Sequence, residues 1–491
     1  MLSPCLTVKI KQMKSKIKFG TDGWRAIIAE EFTFENVRIT SQAIGKMLLK
    51  NSKALYPIII GYDTRFLSDE FAKACSDELT ALGFKTLLSS IPVPTPVVAF
   101  WAANNPGGLT NGAIQFTASH NPPNYCGIKY ITNYGGPAPV EVTDEITKHL
   151  NNADCSEAKY NTTTETFNPL NYYVSHIKSL INFEKIKGAG LTIVYDPLFG
   201  AGNGFLDTLL KEAGCIIHTI HNKKDPMFGG LLPEPREENL NDLKNEVKFR
   251  SADIGLATDG DADRISIIDN KGFFYSPNKI SAMLLRHLYK NKKIRGTVVR
   301  TVSTTHLLDH LAEKFGLEVK ETKVGFKWIC EEMRKGPVIL GAEESGGISI
   351  LGHIPDKDAV LAGMLLVEML AYENKPIEEI YKDTLKEANW SCINDKIDLY
   401  INEESKRLLL EKFKDGDIIR YGNLKVKSIN KLEGVKYILE DESWFLVRAS
   451  GTEPMARVYF EATSEKTLDS MKNTVNNILN EVTNNQCLKS V

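Results

Sequence analysis

One pattern recurs three times along this chain and limits its fold more than any other feature. An apolar run ends in a turn, a helical stretch follows, a glycine closes it, and a second apolar run begins. The first copy is Tyr56-Pro57-Ile58-Ile59-Ile60-Gly61-Tyr62-Asp63, a helix to Leu82, then Gly83-Phe84. The second is Leu191-Thr192-Ile193-Val194-Tyr195-Asp196, a helix from about Asn203, then Gly214-Cys215-Ile216-Ile217. The third is Gly296-Thr297-Val298-Val299-Arg300, a helix from about Thr304, then Gly316-Leu317. Continuous Ile/Val runs read as strands covered on both faces, and the glycines stand where helix C-caps belong. Each copy is a βαβ-like unit, which predicts largely parallel or mixed sheets with helices outside. Uneven spacing argues for separate domains rather than a solenoid.

The last hundred or so residues read differently. Short alternating runs (424–429, 435–439, 444–447 and 457–460) predict antiparallel strands, and a helix from about Ser464 to Val482 closes the chain. Boundaries are expected near the polar stretch Asn161–Thr166, near Pro277-Asn278 and near Asn389-Trp390. The expected fold class is α/β. Three similar α/β domains with mixed sheets (1–165, 166–276, 277–388) precede a smaller C-terminal α+β domain (389–491). A length of 491 residues accommodates such a set.

A net charge of -2 gives no global attraction to nucleic acid or to an acidic membrane surface, so an anionic substrate must be held by local basic groups. Eight cysteines are scattered without a C-x-x-C pair, which fits free thiols in a reducing compartment better than disulfides or a zinc site. No apolar run approaches the ~20 residues needed to span a bilayer. The lysines at 9, 11, 14, 16 and 18 flank no apolar segment and do not form a secretory signal. A cytoplasmic enzyme without nucleic-acid or membrane partners is expected.

Five segments carry chemistry. Thr117-Ala118-Ser119-His120-Asn121-Pro122 follows the strand-like Gly112–Phe116 and must turn at its prolines, which puts Ser119 on a loop at a strand end. By itself the hexapeptide also reads as a plain surface turn. Asp259-Gly260-Asp261-Ala262-Asp263-Arg264 follows the strand-like Ala252–Ala257. In an extended backbone its alternate side chains share one face, and three carboxylates there repel unless a cation sits among them. Hard oxygen ligands suit Mg²⁺. An EF-hand is excluded, because its sixth and twelfth positions, which require Gly and Glu, are Arg264 and Asn270. Arg448-Ala449-Ser450-Gly451-Thr452-Glu453-Pro454 combines an arginine fork, two hydroxyls and a glycine in the manner of a phosphate-binding loop, although a capped turn has the same composition. Ala342-Glu343-Glu344-Ser345-Gly346-Gly347 follows an apolar strand and offers acceptors for sugar hydroxyls; Gly20-Thr21-Asp22-Gly23-Trp24-Arg25 is a second glycine-rich turn with an arginine. Either of these two, taken alone, is an ordinary turn.

Together and in this order, the five segments resemble the α-D-phosphohexomutase family of phosphoglucomutases and phosphomannomutases, over almost the whole chain. The resemblance implies four domains around a central cleft. It implies that Ser119 carries a phosphoryl group, and that Asp259, Asp261 and Asp263 hold Mg²⁺ with the Ser119 phosphoryl oxygen as a further ligand. Glu343 and Ser345 match the pair that holds sugar hydroxyls. Arg448, Ser450, Gly451 and Thr452 match the grip on the non-reacting phosphate, with Arg457 beside it on the next strand. Val324-Gly325-Phe326-Lys327 resembles a further sugar-contacting loop, with Lys327 as its candidate substrate contact, and Lys357 resembles a substrate-contacting lysine of the glucose-type members. Arg25, His120, Lys129 and Arg264 match cleft positions, with Lys129 or His120 the candidates for proton transfer.

The activity so implied is interconversion of hexose 1- and 6-phosphates through a phosphoserine enzyme and a hexose 1,6-bisphosphate, glucose being the expected sugar. Gly347 stands where many mannose-active members have His, and favours a glucose-type or broader preference. Ala342 replaces a common Gly, and Asp358-Ala359 follows Lys357 where Asp-Gly is common. Rivals with the same mechanism are mannose, glucosamine or pentose phosphate mutases. A sugar-phosphate phosphatase would have no need of the Arg448–Thr452 grip, and a silent binding protein no need of Ser119 and three aspartates. The expected partner is a small sugar phosphate, and the expected assembly a monomer or homodimer.

Overall fold

In the computed structural model, each of the three recurrent runs becomes a strand, a helix and a second strand. The described residues are 17–20, 22–51, 54–151, 164–414, 420–421, 424–449 and 455–487. The first copy folds as strand Ile58–Tyr62, helix Ser68–Ala81 and strand Thr86–Ser89. The second folds as Thr192–Asp196, Leu206–Glu212 and Ile216–Thr219. The third folds as Thr297–Thr301, Leu307–Phe315 and Val319–Thr322. Gly83, Gly214 and Gly316 close the three helices with φ of 90°, 84° and 66°, the left-handed geometry that ends a helix cheaply only at glycine. Within each copy the two strands pair in parallel.

The chain divides into two compact units, Met1–Tyr173 with Lys224–Leu232, and Val174–Lys223 with Pro233–Val491. The first unit holds a six-stranded sheet in the order Trp24–Ile27, Tyr125–Ile131, Ala113–Phe116, Ile58–Tyr62, Thr86–Ser89, Glu165–Phe167. Its first two pairings are antiparallel and the rest parallel. Glu165–Phe167 adds as an edge strand, so this sheet extends past residue 165. Ile58, Ile59 and Ile60 have no exposed surface, and burying a side chain of that size stabilises the fold by roughly 1.5–3 kcal/mol.

The second unit contains three sheets. Two are mixed: Phe274–Tyr275, Ile265–Asp269, Ile254–Thr258, Thr192–Asp196, Ile216–Thr219, and Val319–Thr322, Thr297–Thr301, Val338–Ala342, Ile348–Ile350. The third is wholly antiparallel: Ile393–Tyr400, Met455–Ala462, Trp444–Ala449, Val435–Leu439, Leu424–Asn430, Arg420–Tyr421. Two elements of this last domain, the strand Ile393–Tyr400 and the helix Glu403–Lys414, were not apparent from alternation alone. The reason is composition: Ile393–Tyr400 reads INDKIDLY, and its acidic and basic residues obscure the period of two. The expected architecture of three mixed α/β domains and one α+β domain is thus observed. Among the described residues no helix is long and apolar enough to cross a membrane. Cys75, Cys126, Cys215, Cys330 and Cys392 are free thiols, and burial pushes Cys75 up to about 12.

Candidate active site

Ser119 lies where the sequence places it, just after strand Ala113–Phe116, on a buried loop. Its φ is 51°, a left-handed conformation that costs a non-glycine residue on the order of 1–2 kcal/mol. The loop is tied locally: the Ser119 N–H donates to Thr117 Oγ1 at 2.8 Å and the Asn121 N–H to the Ala118 carbonyl at 3.0 Å. His120 Nδ1 stands 3.3 Å from Ser119 Oγ. Arg25, on the antiparallel strand Trp24–Ile27, donates from Nη1 to Asn121 Oδ1 at 2.8 Å. Lys129 is buried on strand Tyr125–Ile131, opposite Gln115 in register. The first unit therefore places Ser119 and His120 on one loop, tied to Arg25 through Asn121, with Arg25 and Lys129 on strands of the same sheet.

The three aspartates lie in the second unit, between strands Ile254–Thr258 and Ile265–Asp269. Their convergence has a different cause from the one expected. The segment is a tight turn rather than an extended run: Ala262 has φ 53°, its N–H donates to the Asp259 carbonyl at 3.0 Å, and the Asp259 N–H donates to Arg264 O at 3.2 Å. The turn still brings one carboxylate oxygen each of Asp259, Asp261 and Asp263 within 4.8 Å of the others, all three residues buried. Asp259 Oδ1 accepts the Asp263 and Arg264 N–H groups at 2.9 and 3.0 Å. Burial, reinforced by Asp263 and Asp261, pushes the Asp259 carboxyl well above the usual carboxylate range. Three buried carboxylates crowded together fit a hard divalent cation, whose charge would offset both their burial and their mutual repulsion.

The loop of Glu343 and Ser345 is bonded directly to this turn. Arg264 and Gly347 form an antiparallel bridge, the Ile265 N–H donates to the Gly346 carbonyl at 3.3 Å, and the Ala359 N–H donates to Ala262 O at 3.1 Å. Glu343 accepts the Gly325 N–H at 3.0 Å, which links it to the Val324–Lys327 segment; Ser345 is half-buried on the same loop. Lys327 lies against the Trp328 ring at 5.0 Å. Lys357 Nζ sits 2.8 Å from Asp263 Oδ2 and 3.8 Å from Asp356. Asp358 caps the helix Ala359–Glu373 by accepting the Leu361 N–H at 3.0 Å, which fixes Lys357 just ahead of that helix. Arg264 stands 3.6 Å from Glu234 and 3.8 Å from Asp263.

Arg448, at the end of strand Trp444–Ala449, pairs with Glu433, which also accepts the Val324 N–H at 2.6 Å. Arg457 faces Arg448 across the sheet and is held by Asp398 at 3.4 Å. Lys396 lies 3.7 Å from Glu344. Ser450, Gly451 and Thr452 lie outside the described residues, as does Thr21. The second unit thus joins Asp259–Arg264, Glu343–Gly347, Lys357 and Arg448 into one contact network.

Comparison with known proteins accounts for all of these segments. Four successive family models match: the phosphoglucomutase/phosphomannomutase α/β/α domains I (residues 16–157), II (171–272) and III (276–388), and the C-terminal domain (411–478). The chain belongs to the α-D-phosphohexomutase family. It is therefore an isomerase, an intramolecular phosphotransferase. A phosphoglucosamine/phosphogalactosamine mutase of Sulfurisphaera tokodaii is 32% identical over 94% of this chain and 98% of its own length. A phosphoglucomutase/phosphomannomutase of Thermococcus kodakarensis is 31% identical over 91% of this chain and 95% of its own. A solved structure from Thermus thermophilus, assigned as a phosphomannomutase, superposes with a TM-score of 0.83 at 32% identity, covering 94% of this chain and all of that one.

Three residues that support this mutase's loops were missed in the sequence. Arg65 and its partner Asp63 stand directly beneath the Ser119 loop, and Glu433 bridges Arg448 to Val324. The signal for Arg65 was available: a charged pair, Asp63-Thr64-Arg65, closes a strand of three consecutive isoleucines. Glu433 had no such signal, because Leu432-Glu433-Gly434 reads as an ordinary hairpin turn.

Proposed function

We propose that this protein interconverts hexose 1-phosphate and hexose 6-phosphate, with glucose as the preferred sugar, by way of phospho-Ser119 and a hexose 1,6-bisphosphate. The observation that carries the reading is the buried Asp259/Asp261/Asp263 turn, hydrogen-bonded directly to the loop of Glu343 and Ser345. Cation ligands and hydroxyl acceptors occur side by side, as a reaction moving a phosphoryl group between two hydroxyls of one sugar requires.

In this reading the P–O bond to Ser119 Oγ breaks as a new P–O bond forms to the free sugar hydroxyl, whose proton passes to a base. His120, 3.3 Å from Ser119 Oγ, and Lys129 are the candidates for that proton. The bisphosphate then turns over, and Ser119 Oγ attacks its other phosphate: the P–O bond to the sugar breaks, the sugar oxygen takes up a proton as the serine gives its own to a base, and phospho-Ser119 is restored as the donor for the next cycle. Asp259, Asp261 and Asp263, with the phosphoserine oxygen, are assigned to Mg²⁺; when bound, the cation offsets charge on the phosphoryl oxygens. Arg25 and Arg264 supply fixed positive charge. Glu343, Ser345, Lys327 and Lys357 orient the sugar, while Arg448, Arg457 and the segment Ser450-Gly451-Thr452 hold the phosphate that is not reacting. The four loops are assigned to the segments 1–165, 166–276, 277–388 and 389–491. A cytoplasmic location belongs to the same reading.

Glucose preference rests on Gly347 and Lys357. A Cβ at position 347 would stand 2.6 Å from Lys357 Cδ and 3.1 Å from its Cβ, so any larger residue there would push the lysine side chain out of its present place. The names of several relatives favour a second reading, glucosamine phosphate. Side-by-side assays with glucose, mannose and glucosamine 1-phosphates, with and without the matching 1,6-bisphosphate, decide between them. The largest kcat/KM is expected for glucose; a larger value for glucosamine replaces the sugar and keeps the mechanism. Failure with all three, bisphosphate included, removes the mutase reading.

A further inference from the structure

The Ser119 loop has a surplus of carbonyl oxygens. The peptide groups Asn121–Pro122 and Pro122–Pro123 each present a carbonyl and no N–H, because proline has none. Carbonyls shielded from water must be satisfied, and this stretch has few donors of its own: the Asn121 N–H serves the Ala118 carbonyl and the Tyr125 N–H the Pro122 carbonyl, both at 3.0 Å. Arg65 supplies the donors. Its Nη2 donates to the Ser119 carbonyl at 2.7 Å and the Asn121 carbonyl at 2.6 Å, and its Nη1 donates to the Pro122 carbonyl at 2.8 Å and the Tyr125 carbonyl at 3.0 Å. All four terminal N–H groups of the guanidinium are thereby spent on one loop.

The guanidinium is itself fixed from the other sides. The Arg65 side chain has no exposed surface, and its Nε faces Asp63 Oδ2 at 3.2 Å. Asp63 Oδ1 accepts the Arg65 N–H at 2.9 Å, and Ser68 Oγ donates to the Asp63 carbonyl at 2.7 Å. The ring of Phe228 stacks over the guanidinium with its centroid 5.0 Å from Cζ. Phe228 is fully buried and comes from 224–232, the stretch of the second family domain that clusters with the first unit. A planar fork with donors on two nitrogens reaches four carbonyls at once; an ammonium, with three donors on one atom, does not.

We infer that Arg65 is the positioning residue for the nucleophile: it holds Ser119 in its left-handed conformation and so aims Oγ. A trans peptide sets its carbonyl and the following N–H on opposite sides. Drawing the Ser119 carbonyl onto Arg65 therefore turns the His120 N–H to the opposite side of the loop. Without the fork, the Ser119 and Asn121 carbonyls lose these donors and less is left to offset the cost of φ 51°, so the Ser119 peptide relaxes. The inference rests on Ser119 being the phosphoryl carrier, and it adds a residue to which no role has been given.

The test is single-turnover phosphorylation of dephosphorylated enzyme by glucose 1,6-bisphosphate, followed by intact mass, together with steady-state kcat and KM. For Arg65→Lys the phosphorylation rate and kcat are expected to fall about 100-fold, the scale of a nucleophile displaced by an ångström, while KM for the sugar phosphate stays within about threefold. A generally loosened fold would move both parameters. Phe228→Leu keeps the fork but frees its plane, and is expected to slow phosphorylation about fivefold. Arg65→Lys that folds and is phosphorylated at the parent's rate overturns the inference. If Arg65→Lys does not fold, Phe228→Leu decides alone, and a rate within about twofold of the parent overturns it. Absence of phosphate on the parent enzyme itself would instead remove the Ser119 reading, which keeps the two failures apart.

Discussion

The Ser119 loop and the Asp259–Asp263 turn both follow the end of a buried strand, and both contain a non-glycine residue in the left-handed region, Ser119 at φ 51° and Ala262 at φ 53°. They differ in what keeps them there. Around Ser119 the chain is rich in backbone acceptors, which the permanent cation Arg65 answers, while Arg25 holds the Asn121 side-chain oxygen. Around Asp259 the chain is rich in negative charge, answered by backbone N–H groups and by Lys357. Strain in the first loop is conformational and is met by parts of the fold that do not exchange. Strain in the second is electrostatic, the kind that a bound cation would relieve. In the proposed mutase reading, a nucleophile has to be aimed the same way in every cycle, whereas a metal site has to load.

The sharpest break in this comparison comes from Ser119. Ser119→Ala and Ser119→Gly should both lose at least about 10⁴-fold in mutase turnover, because each removes the group that forms the covalent intermediate. Intact mass should show one phosphate fewer than in the active parent. The two variants should part in stability: glycine adopts φ 51° without strain, so Ser119→Gly should be more stable than Ser119→Ala by about 1 kcal/mol, read by thermal melting. Turnover by either variant at a rate comparable with the parent's would end the phosphoserine mechanism. Equal melting temperatures would show that the loop stores no backbone strain.

Asp261→Asn probes the other loop and should have the opposite signature. Removing one of three buried carboxylates relieves repulsion, so the metal-free variant should melt higher than the metal-free parent. Its Mg²⁺ affinity, measured by calorimetry, should fall at least about tenfold, with activity following the metal. An unchanged metal affinity would take the Asp259–Asp263 turn out of the site. A lower metal-free melting temperature would show that the turn does not carry the electrostatic strain assigned to it.

What the sequence made legible follows the same division. Strands such as Ile58–Tyr62 and Thr192–Asp196 announce themselves through continuous burial, and the glycines after their helices mark the ends. The aspartates were found by spacing, but for a reason that proved incomplete, since alternation in an extended chain is not what gathers them. The turn at Ala262 does that, and a left-handed alanine leaves no trace in composition. Arg65 lay 54 residues from Ser119, and only the folded sheet sets the end of strand Ile58–Tyr62 beside the end of Ala113–Phe116. Glu433 is twice as remote from Val324, 109 residues away. Local chemistry is visible in one dimension; the partners that hold it in place come from strand order, which one dimension does not carry.

A last, smaller effect separates cations that titrate from those that do not. The guanidinium under Ser119 keeps its charge at any working pH. The second unit contains a buried cation of the other kind. Lys436 has no exposed side-chain surface; its Nζ donates to the Val302 carbonyl at 2.9 Å and lies 2.8 Å from His306 Nε2, 3.1 Å from Glu321 Oε1 and 4.0 Å from the Trp444 ring centroid. Burial, with Arg300 adding repulsion against the attraction of Glu321, brings the ammonium down to about 8. The unfolded lysine holds its proton to about 10.4, so between these values the unfolded state binds more protons and stability at this site rises with pH. Below about 8 both states are charged, and the cost of burying the charge is constant. Lys436→Met lacks this dependence. On going from pH 7.5 to 9.5 the stability of the parent relative to Lys436→Met should therefore improve, by on the order of 1 kcal/mol, read from paired melting curves. Arg65→Lys, if it folds, places a titratable ammonium under Ser119 and should acquire a pH-dependent phosphorylation rate that the parent does not have. A parent–variant gap at Lys436 that stays flat over this range would show that the buried ammonium is not destabilised, and the distinction between the two kinds of buried cation would fall with it.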